Sequence, residues 1–400
     1  MYQGHRITAA LKIIELYLKS AIVLPATVMP LSVFLSQYYR TNKQMGSKDR
    51  KIASGLVYNY FRLGNIMKDE SIKDRLMIAN FLCQNKNDSF LASIFENSRF
   101  QNLLELPFSD KLEFISKEHQ QLSTEKLFSF IPDFSQGINA TEFYRSFFTQ
   151  PLLWVRVKKG RMQQVIEELE ENNVNYYRSE EFPNTLSFIN GTSLETLKSK
   201  QNGLFEIQDL SSQLTGGYFE AKSGENWWDC CAASGGKSLL LCDGVSGIKI
   251  LATDTRETIL TNLKNRFHQA GIKNFEVIRA DLMKDVSINK PFNFFDGIIA
   301  DVPCSGSGTW ARTPEMLSFF SQQTMLEFQH KQKTIVGNVV PYLKKSQALI
   351  YITCSVFKAE NEDVINYLAE KHNLAIEFSQ LICGYNRQSD TLFVARLVKR

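Results

Sequence analysis

Between positions 7 and 131 the apolar residues return every three or four positions, as at Ala10, Ile13, Ile14, Leu16 and Tyr17 and again at Ile52, Leu56, Val57, Tyr60 and Phe61. That period places them on one face of a helix, so this part of the chain is expected to be all helical. Ser47, in Ser47-Lys48-Asp49-Arg50, is expected to cap the second of these runs. Pro, Asp, Ser and Gly then cluster over 132–137 without any period, which marks a linker. From 151 to 203 the pattern predicts a strand over 152–157, an amphipathic helix over 162–172, strands at Tyr176 and Tyr177 and over 185–189, and a short helix over 193–198. Beyond 206, strands over 227–231, 248–253, 275–280, 295–301 and 349–353 alternate with helices or polar loops. Runs such as Ile298, Ile299, Ala300 and Leu349, Ile350 suit strands covered on both faces. The expected fold is therefore α/β, a doubly wound parallel sheet over 204–400, preceded by an all-helical domain over 1–137 and a small split α/β module over 138–203.

Four hundred residues, 44% of them hydrophobic, exceed what one core organises, in keeping with several domains. The net charge of +4 is unevenly placed. Residues 1–75 hold 12 Lys or Arg against 5 Asp or Glu, and the remainder is close to neutral. A basic helical segment points to a polyanion partner or to a plain solvated face. Arg156, Lys158, Lys159 and Arg161 of the middle module have the same two readings, phosphate contact or surface. Seven cysteines (83, 230, 231, 242, 304, 354 and 383) form no regular framework and the first ten residues are polar, so a reducing, cytoplasmic setting is expected. The apolar stretch 13–33 is broken by Glu15, Lys19 and two prolines and does not read as a membrane span. The five histidines are scattered, so no metal site is expected.

The chemistry lies at the strand ends. Cys304, in Asp301-Val302-Pro303-Cys304-Ser305-Gly306, and Cys354, in Thr353-Cys354-Ser355, each follow an apolar strand and open a polar turn. Thiols at two strand ends of an open sheet can meet over one crevice, where such folds bind their ligands. The loop Cys231-Ala232-Ala233-Ser234-Gly235-Gly236-Lys237 follows the first strand of this region and opens a helix, a place where backbone can approach a cofactor. It ends Gly-Lys-Ser, but a triphosphate-binding loop needs glycine where Cys231 stands, which excludes that reading. Asp254, about twenty residues on, stands where a ribose-hydroxyl acceptor would, or where a helix cap would. Asp281 follows the third strand, facing the base of the same ligand or simply serving a turn.

With 205–213 (Phe-Glu-Ile-Gln-Asp-Leu-Ser-Ser-Gln) and Glu360-Asn361-Glu362, these motifs resemble the Nop/Sun family of RNA cytosine-C5 methyltransferases from about residue 203 to the end. The segment 47–62 is similar, more loosely, to the NusB-like helical domain of that family's bacterial RsmB (Sun, Fmu) branch, which methylates small-subunit 16S ribosomal RNA. The resemblance implies a Rossmann-like class I fold dependent on S-adenosyl-L-methionine, behind a NusB-like domain and an RRM-like module. It implies cofactor contacts from Cys231, Ala232, Ala233, Ser234, Gly235, Gly236, Lys237, Asp254, Asp281 and Asp301. Carbon 5 of cytosine is a poor nucleophile, so a thiolate must first add to carbon 6. By the resemblance Cys354 is that nucleophile and Cys304 assists product release. Asp301 is then expected at ring nitrogen 3, and Lys237 at the cytosine carbonyl or beside a thiol.

Three departures from the family pattern stand out: Ser234 in place of Pro, expected to loosen the loop; Asp390-Thr391-Leu392-Phe393 in place of Asp-Gly-Phe-Phe; and Trp227-Trp228 with Cys230, which read as core packing. The same chemistry on tRNA, a DNA-type enzyme using the Pro-Cys thiol, and a non-catalytic rRNA-binding assembly factor are the other readings. In each RNA case the target is an unstacked cytosine in a loop or bulge.

Overall fold

The structure, a computed structural model, describes residues 2–23, 29–83, 94–95, 98–119, 123–284 and 294–400. Parts of the expected helical run, at 24–28, 84–93, 96–97 and 120–122, lie outside them. The chain packs as two units. One comprises Met1–Pro132, Asn139–Gln150 and Trp310–Gln322; the other comprises Asp133–Ile138, Pro151–Thr309 and Gln323–Arg400.

The first unit is helical, as the period predicts. Helices Tyr2–Val23, Leu31–Thr41, Ser47–Phe61 and Ile72–Cys83 gather Ile13, Ile14, Tyr17, Leu31, Leu35, Val57, Phe61 and Leu76 into one core. Leu16 departs from the expected face and is exposed. Ser47 is not the cap: it is the first helical residue, and extended Gly46 holds the cap position with no side-chain hydrogen bond. The start of Leu31–Thr41 is served from far along the chain, where the Glu315 carboxylate accepts the Leu31 N–H at 3.0 Å.

Residues 133–138 are pinned rather than free, contrary to the linker reading. Ser135 N–H donates to Val356 at 2.9 Å, and Phe134 forms an isolated antiparallel bridge with Phe357, all within the second unit.

The middle module has strands β1 (Leu153–Val157), β2 (Tyr177–Arg178), β3 (Thr185–Phe188) and β4 (Phe205–Ile207), with helices Met162–Glu171 and Lys198–Gln201. They form an antiparallel sheet of order β2-β3-β1-β4. Val155, Val157, Leu186, Phe188 and Phe205 line its apolar face, under Val165 and Leu169. The short helix begins at Lys198, where the 193–198 expectation ends, because the Glu168 carboxylate of the neighbouring helix accepts the N–H groups of Lys198 and Ser199 at 2.6 and 2.7 Å. The opposite sheet face is also buried. There Arg156 meets Asp243 and donates to Gln208, Thr185 donates to Gln213, and Arg266 donates to Glu206. Arg156 is therefore a buried ion-pair residue and not a phosphate contact, whereas Lys159 and Arg161 are exposed.

The large sheet has seven strands: β5 (Asn226–Asp229), β6 (Lys249–Asp254), β7 (Phe275–Arg279), β8 (Phe295–Asp301), β9 (Leu343–Thr353), β10 (Leu374–Ile382) and β11 (Leu392–Lys399). Its order is β10-β11-β9-β8-β5-β6-β7. Strands β5 to β9 pair in parallel, and β11 runs antiparallel to both of its neighbours. Side chains alternate between two cores. Trp228, Ile298, Ala300, Leu349 and Tyr351 enter one, while Trp227, Ile250, Ile299, Ile350 and Ile352 enter the other. Both tryptophans and Cys230 are buried, as their core reading expects. The chain leaves β5 toward β6 and β7 on one side and returns to β8 and β9 on the other. The β5/β8 junction is thus the switch point at which an open sheet leaves a crevice. Among the described residues no helix is long and apolar enough to cross a membrane.

Candidate active site

The carboxyl ends of β5, β6, β8 and β9 border a cavity of about 440 Å³. Cys231, Ala233, Asp254, Asp281, Asp301, Cys304 and Cys354 all line it, with Leu282 and Met283 as apolar wall. Ala232, Ser234, Gly235, Gly236 and Lys237 do not line it. Ala232 packs into the core beside Trp227. Gly235 adopts a φ of +84°, and a Cβ there would come within 2.9 Å of the Phe267 ring, so the turn into helix Gly236–Gly244 admits no side chain.

Ser234 is hydrogen-bonded to a side chain of the neighbouring helix. Arg266 donates to its carbonyl and hydroxyl at 2.6 and 2.9 Å, and the other arm of the guanidinium holds Glu206 at 2.8 Å. Position 234 is thereby fastened to the β4 strand by a buried carboxylate.

Asp254 ends β6, 8% exposed, with its carboxylate toward the loop. It accepts Ala233 N–H at 3.1 Å, Arg256 N–H at 3.0 Å and both arms of the Arg256 guanidinium. Burial works against its charge, but the Arg256 bonds outweigh it and hold the carboxyl below its ordinary value. Helix Glu257–Ala270 has Arg256 at its cap position with no side-chain bond, so Asp254 is not its cap. Asp281 accepts Met283 N–H at 3.1 Å within its turn, while still bordering the cavity.

Lys237 is 7% exposed, and its ammonium donates to Asp301 at 3.0 Å and Ser212 at 2.8 Å. It thus engages a carboxylate and a hydroxyl. Asp301 ends β8 with about a third of its side chain exposed to the cavity side.

The two thiols meet. Cys304 Sγ and Cys354 Sγ are 3.3 Å apart, unbonded, fifty residues apart in sequence and at the ends of paired strands β8 and β9. The shared hydrogen bond with Cys354, burial, and the nearby charge of Glu360 all push the Cys304 thiol well above its ordinary value. Each cysteine is followed by a serine, and both serines donate to one buried carboxylate, Glu360. Glu360-Asn361 and Ser212 stand within the sequence motifs, yet their spacing alone assigns them no role. Asp229, equally silent in the sequence, lies buried near Lys237: it accepts from Ser238 Oγ at 2.6 Å, and its other oxygen has no hydrogen-bond partner among the described residues.

Residues 218–392 match the family model described as 16S rRNA methyltransferase RsmB/F. The ribosomal RNA small subunit methyltransferase B of Yersinia enterocolitica is 26% identical over 63% of this chain and 60% of its own length. The probable ribosomal RNA small subunit methyltransferase B of Bacillus subtilis is 26% identical over 55% of this chain and 49% of its own. The chain thus spans half to three-fifths of the length of the curated relatives it matches. In fold it is similar to the crystal structure of PH0851, with TM-score 0.71, 20% identity and 98% of each chain covered. It is also similar to NSun6 from Pyrococcus horikoshii solved with SFG, with TM-score 0.57, 17% identity, and 65% of this chain and 94% of that one covered. Both cysteine loops lie within the residues that match the RsmB/F model, on a Rossmann-like sheet.

Proposed function

We propose that this chain transfers a methyl group from S-adenosyl-L-methionine to carbon 5 of an unstacked cytosine in 16S ribosomal RNA. The observation that carries the reading is the Cys304–Cys354 pair, 3.3 Å apart on the wall of the cavity that Asp254 and Ala233 also border. The relatives' names support ribosomal RNA as the substrate class, and SFG, an analogue of the methyl donor, in the archaeal neighbour supports the donor.

The residues fit that donor. The cavity has the volume of a nucleoside-sized site. A carboxylate held in its charged form ends β6, a glycine turn brings the backbone N–H groups of a helix start to the loop, and Leu282 and Met283 offer an apolar wall. When bound, S-adenosyl-L-methionine supplies an electrophilic methyl group.

The work of this chain is to make carbon 5 nucleophilic. The Cys354 thiolate forms a bond to carbon 6, and the ring electrons move toward carbon 5. Asp301 serves ring nitrogen 3, with its carboxylate steadied by the Lys237 ammonium. After transfer, solvent water accepts the carbon 5 proton, and the electron pair of the broken C–H bond restores the C5–C6 double bond and expels the Cys354 sulfur as a thiolate. Cys304, kept as a thiol, donates S–H to that sulfur as it departs.

Incubation of the protein with methyl-labelled donor and 16S rRNA is expected to yield 5-methylcytosine at one position. Labelling of tRNA alone would move the substrate assignment, and labelling of DNA alone would point to the DNA-type reading. Donor binding with no transfer to any nucleic acid would favour the assembly-factor reading.

A further inference from the structure

The two cysteine loops share a single buried carboxylate. Glu360 is fully buried between β9 and helix Glu362–His372. One of its oxygens accepts Ser305 N–H at 2.8 Å and Gln332 Nε2–H at 3.0 Å. The other accepts the hydroxyls of Ser305 and of Ser355, the latter at 2.5 Å. Four donors saturate a carboxylate, so an ionised group is hydrogen-bonded here as a neutral amide of the same shape cannot be.

The surrounding bonds make the arrangement stiff. Gln332 Nε2 also donates to the Pro303 carbonyl at 3.0 Å, and Tyr351 OH donates to the Glu360 carbonyl at 2.6 Å. Asn361 donates to the Ser355 carbonyl at 2.9 Å and accepts from Thr353 Oγ1 at 2.5 Å. Ser305 and Ser355 directly follow Cys304 and Cys354. Their common acceptor is therefore a side-chain tie between the two turns on either side of the 3.3 Å sulfur contact, added to the direct bonds from Gly308 N–H to the Cys354 carbonyl and from Val356 N–H to Ser307 Oγ, both at 2.9 Å.

We propose that Glu360 is a positioning residue: by accepting from Ser305 and Ser355 at once, its buried carboxylate sets the separation and facing of the Cys304 and Cys354 thiols. Its effect on transfer rests on the methyltransferase reading above, but its effect on thiol geometry does not. Burial raises the Glu360 carboxyl while its hydroxyl and amide donors pull it back, and its charge in turn helps to keep Cys304 a thiol.

The test uses Glu360→Gln in the full chain with two readouts. The first is capture by a monosubstituted trivalent arsenical, which binds two neighbouring thiols with loss of one water and no redox change. The second is kcat and KM for RNA and methyl donor. The variant is expected to capture the arsenical at least tenfold more weakly than the parent. It should also lose about a hundredfold in kcat, the order expected when reacting groups shift by about 1 Å, with KM for the donor unchanged. Ser305→Ala and Ser355→Ala each remove one tie and should each show a smaller loss of capture. They decide the question if Glu360→Gln does not fold. Capture equal to the parent in Glu360→Gln, or in both serine variants, overturns the proposal. A parent that captures the arsenical through these thiols but transfers no methyl group overturns the methyltransferase reading instead.

Discussion

Trp227 and Trp228 leave β5 toward opposite cores, and the Trp227 ring lies over Gly297 of β8, where any Cβ would overlap it. Gly297→Ala is expected to cost about 1–3 kcal/mol through overpacking, read as a lower urea midpoint with unchanged slope. Asp229 makes a pH-dependent claim. Burial, opposed by the Ser238 bond and aided by Asp301, raises its carboxyl from 3.8 to about 7. The folded chain then keeps a proton that the unfolded chain releases, so stability falls as pH rises from about 4 to about 7. Asp229→Asn lacks that loss. Its stability relative to the parent should rise across the same window, as followed by urea unfolding at stepped pH, and a flat difference would count against the assignment. At this scale the sequence exposed the two thiols and Asp301, because strand ends and turn residues are local signals. It was silent on the partners of Glu360 and on the ties of Lys237, since those are chosen by residues up to 64 positions away.

At the scale of elements, the middle module differs from its expectation in which face is open. Alternation in β1 correctly sends Val155 and Val157 to the core, but nothing local says that Arg156 meets Asp243, which lies 87 positions on. Arg156→Ala leaves that carboxylate and Gln208 without their partner. It is expected to cost about 3 kcal/mol of stability, whereas Lys159→Ala, on an exposed turn, should cost little. The same limit explains the Lys198 boundary. A cap is read from one residue, whereas Leu31 and Lys198 are served by carboxylates of other elements. Arg266 joins Ser234 of the 231–237 loop to Glu206. Arg266→Ala is expected to weaken donor binding several-fold by calorimetry while leaving the thiol pair intact.

For the whole chain, five of the seven strands and the doubly wound parallel character were legible, because continuous apolar runs alternate with helices, whereas the order β10-β11-β9-β8-β5-β6-β7 depends on long-range pairings that no local run carries. The basic character of 1–75 is narrower than the count implies: Arg62 and Arg75 are buried, while Lys43, Lys48, Lys51 and Lys73 are exposed. If the exposed set contacts RNA phosphates, Lys48→Ala with Lys51→Ala should lower the salt dependence of RNA binding by about 1–2 in log–log slope, with donor affinity unchanged. The central claim concerns which thiol attacks. RNA carrying 5-fluorocytosine at the target blocks loss of the carbon 5 substituent and so traps the adduct, and peptide mapping by mass spectrometry then locates the attached cysteine. The account predicts the nucleotide on Cys354 in the parent and no adduct in Cys354→Ala; a nucleotide on Cys304 would contradict it.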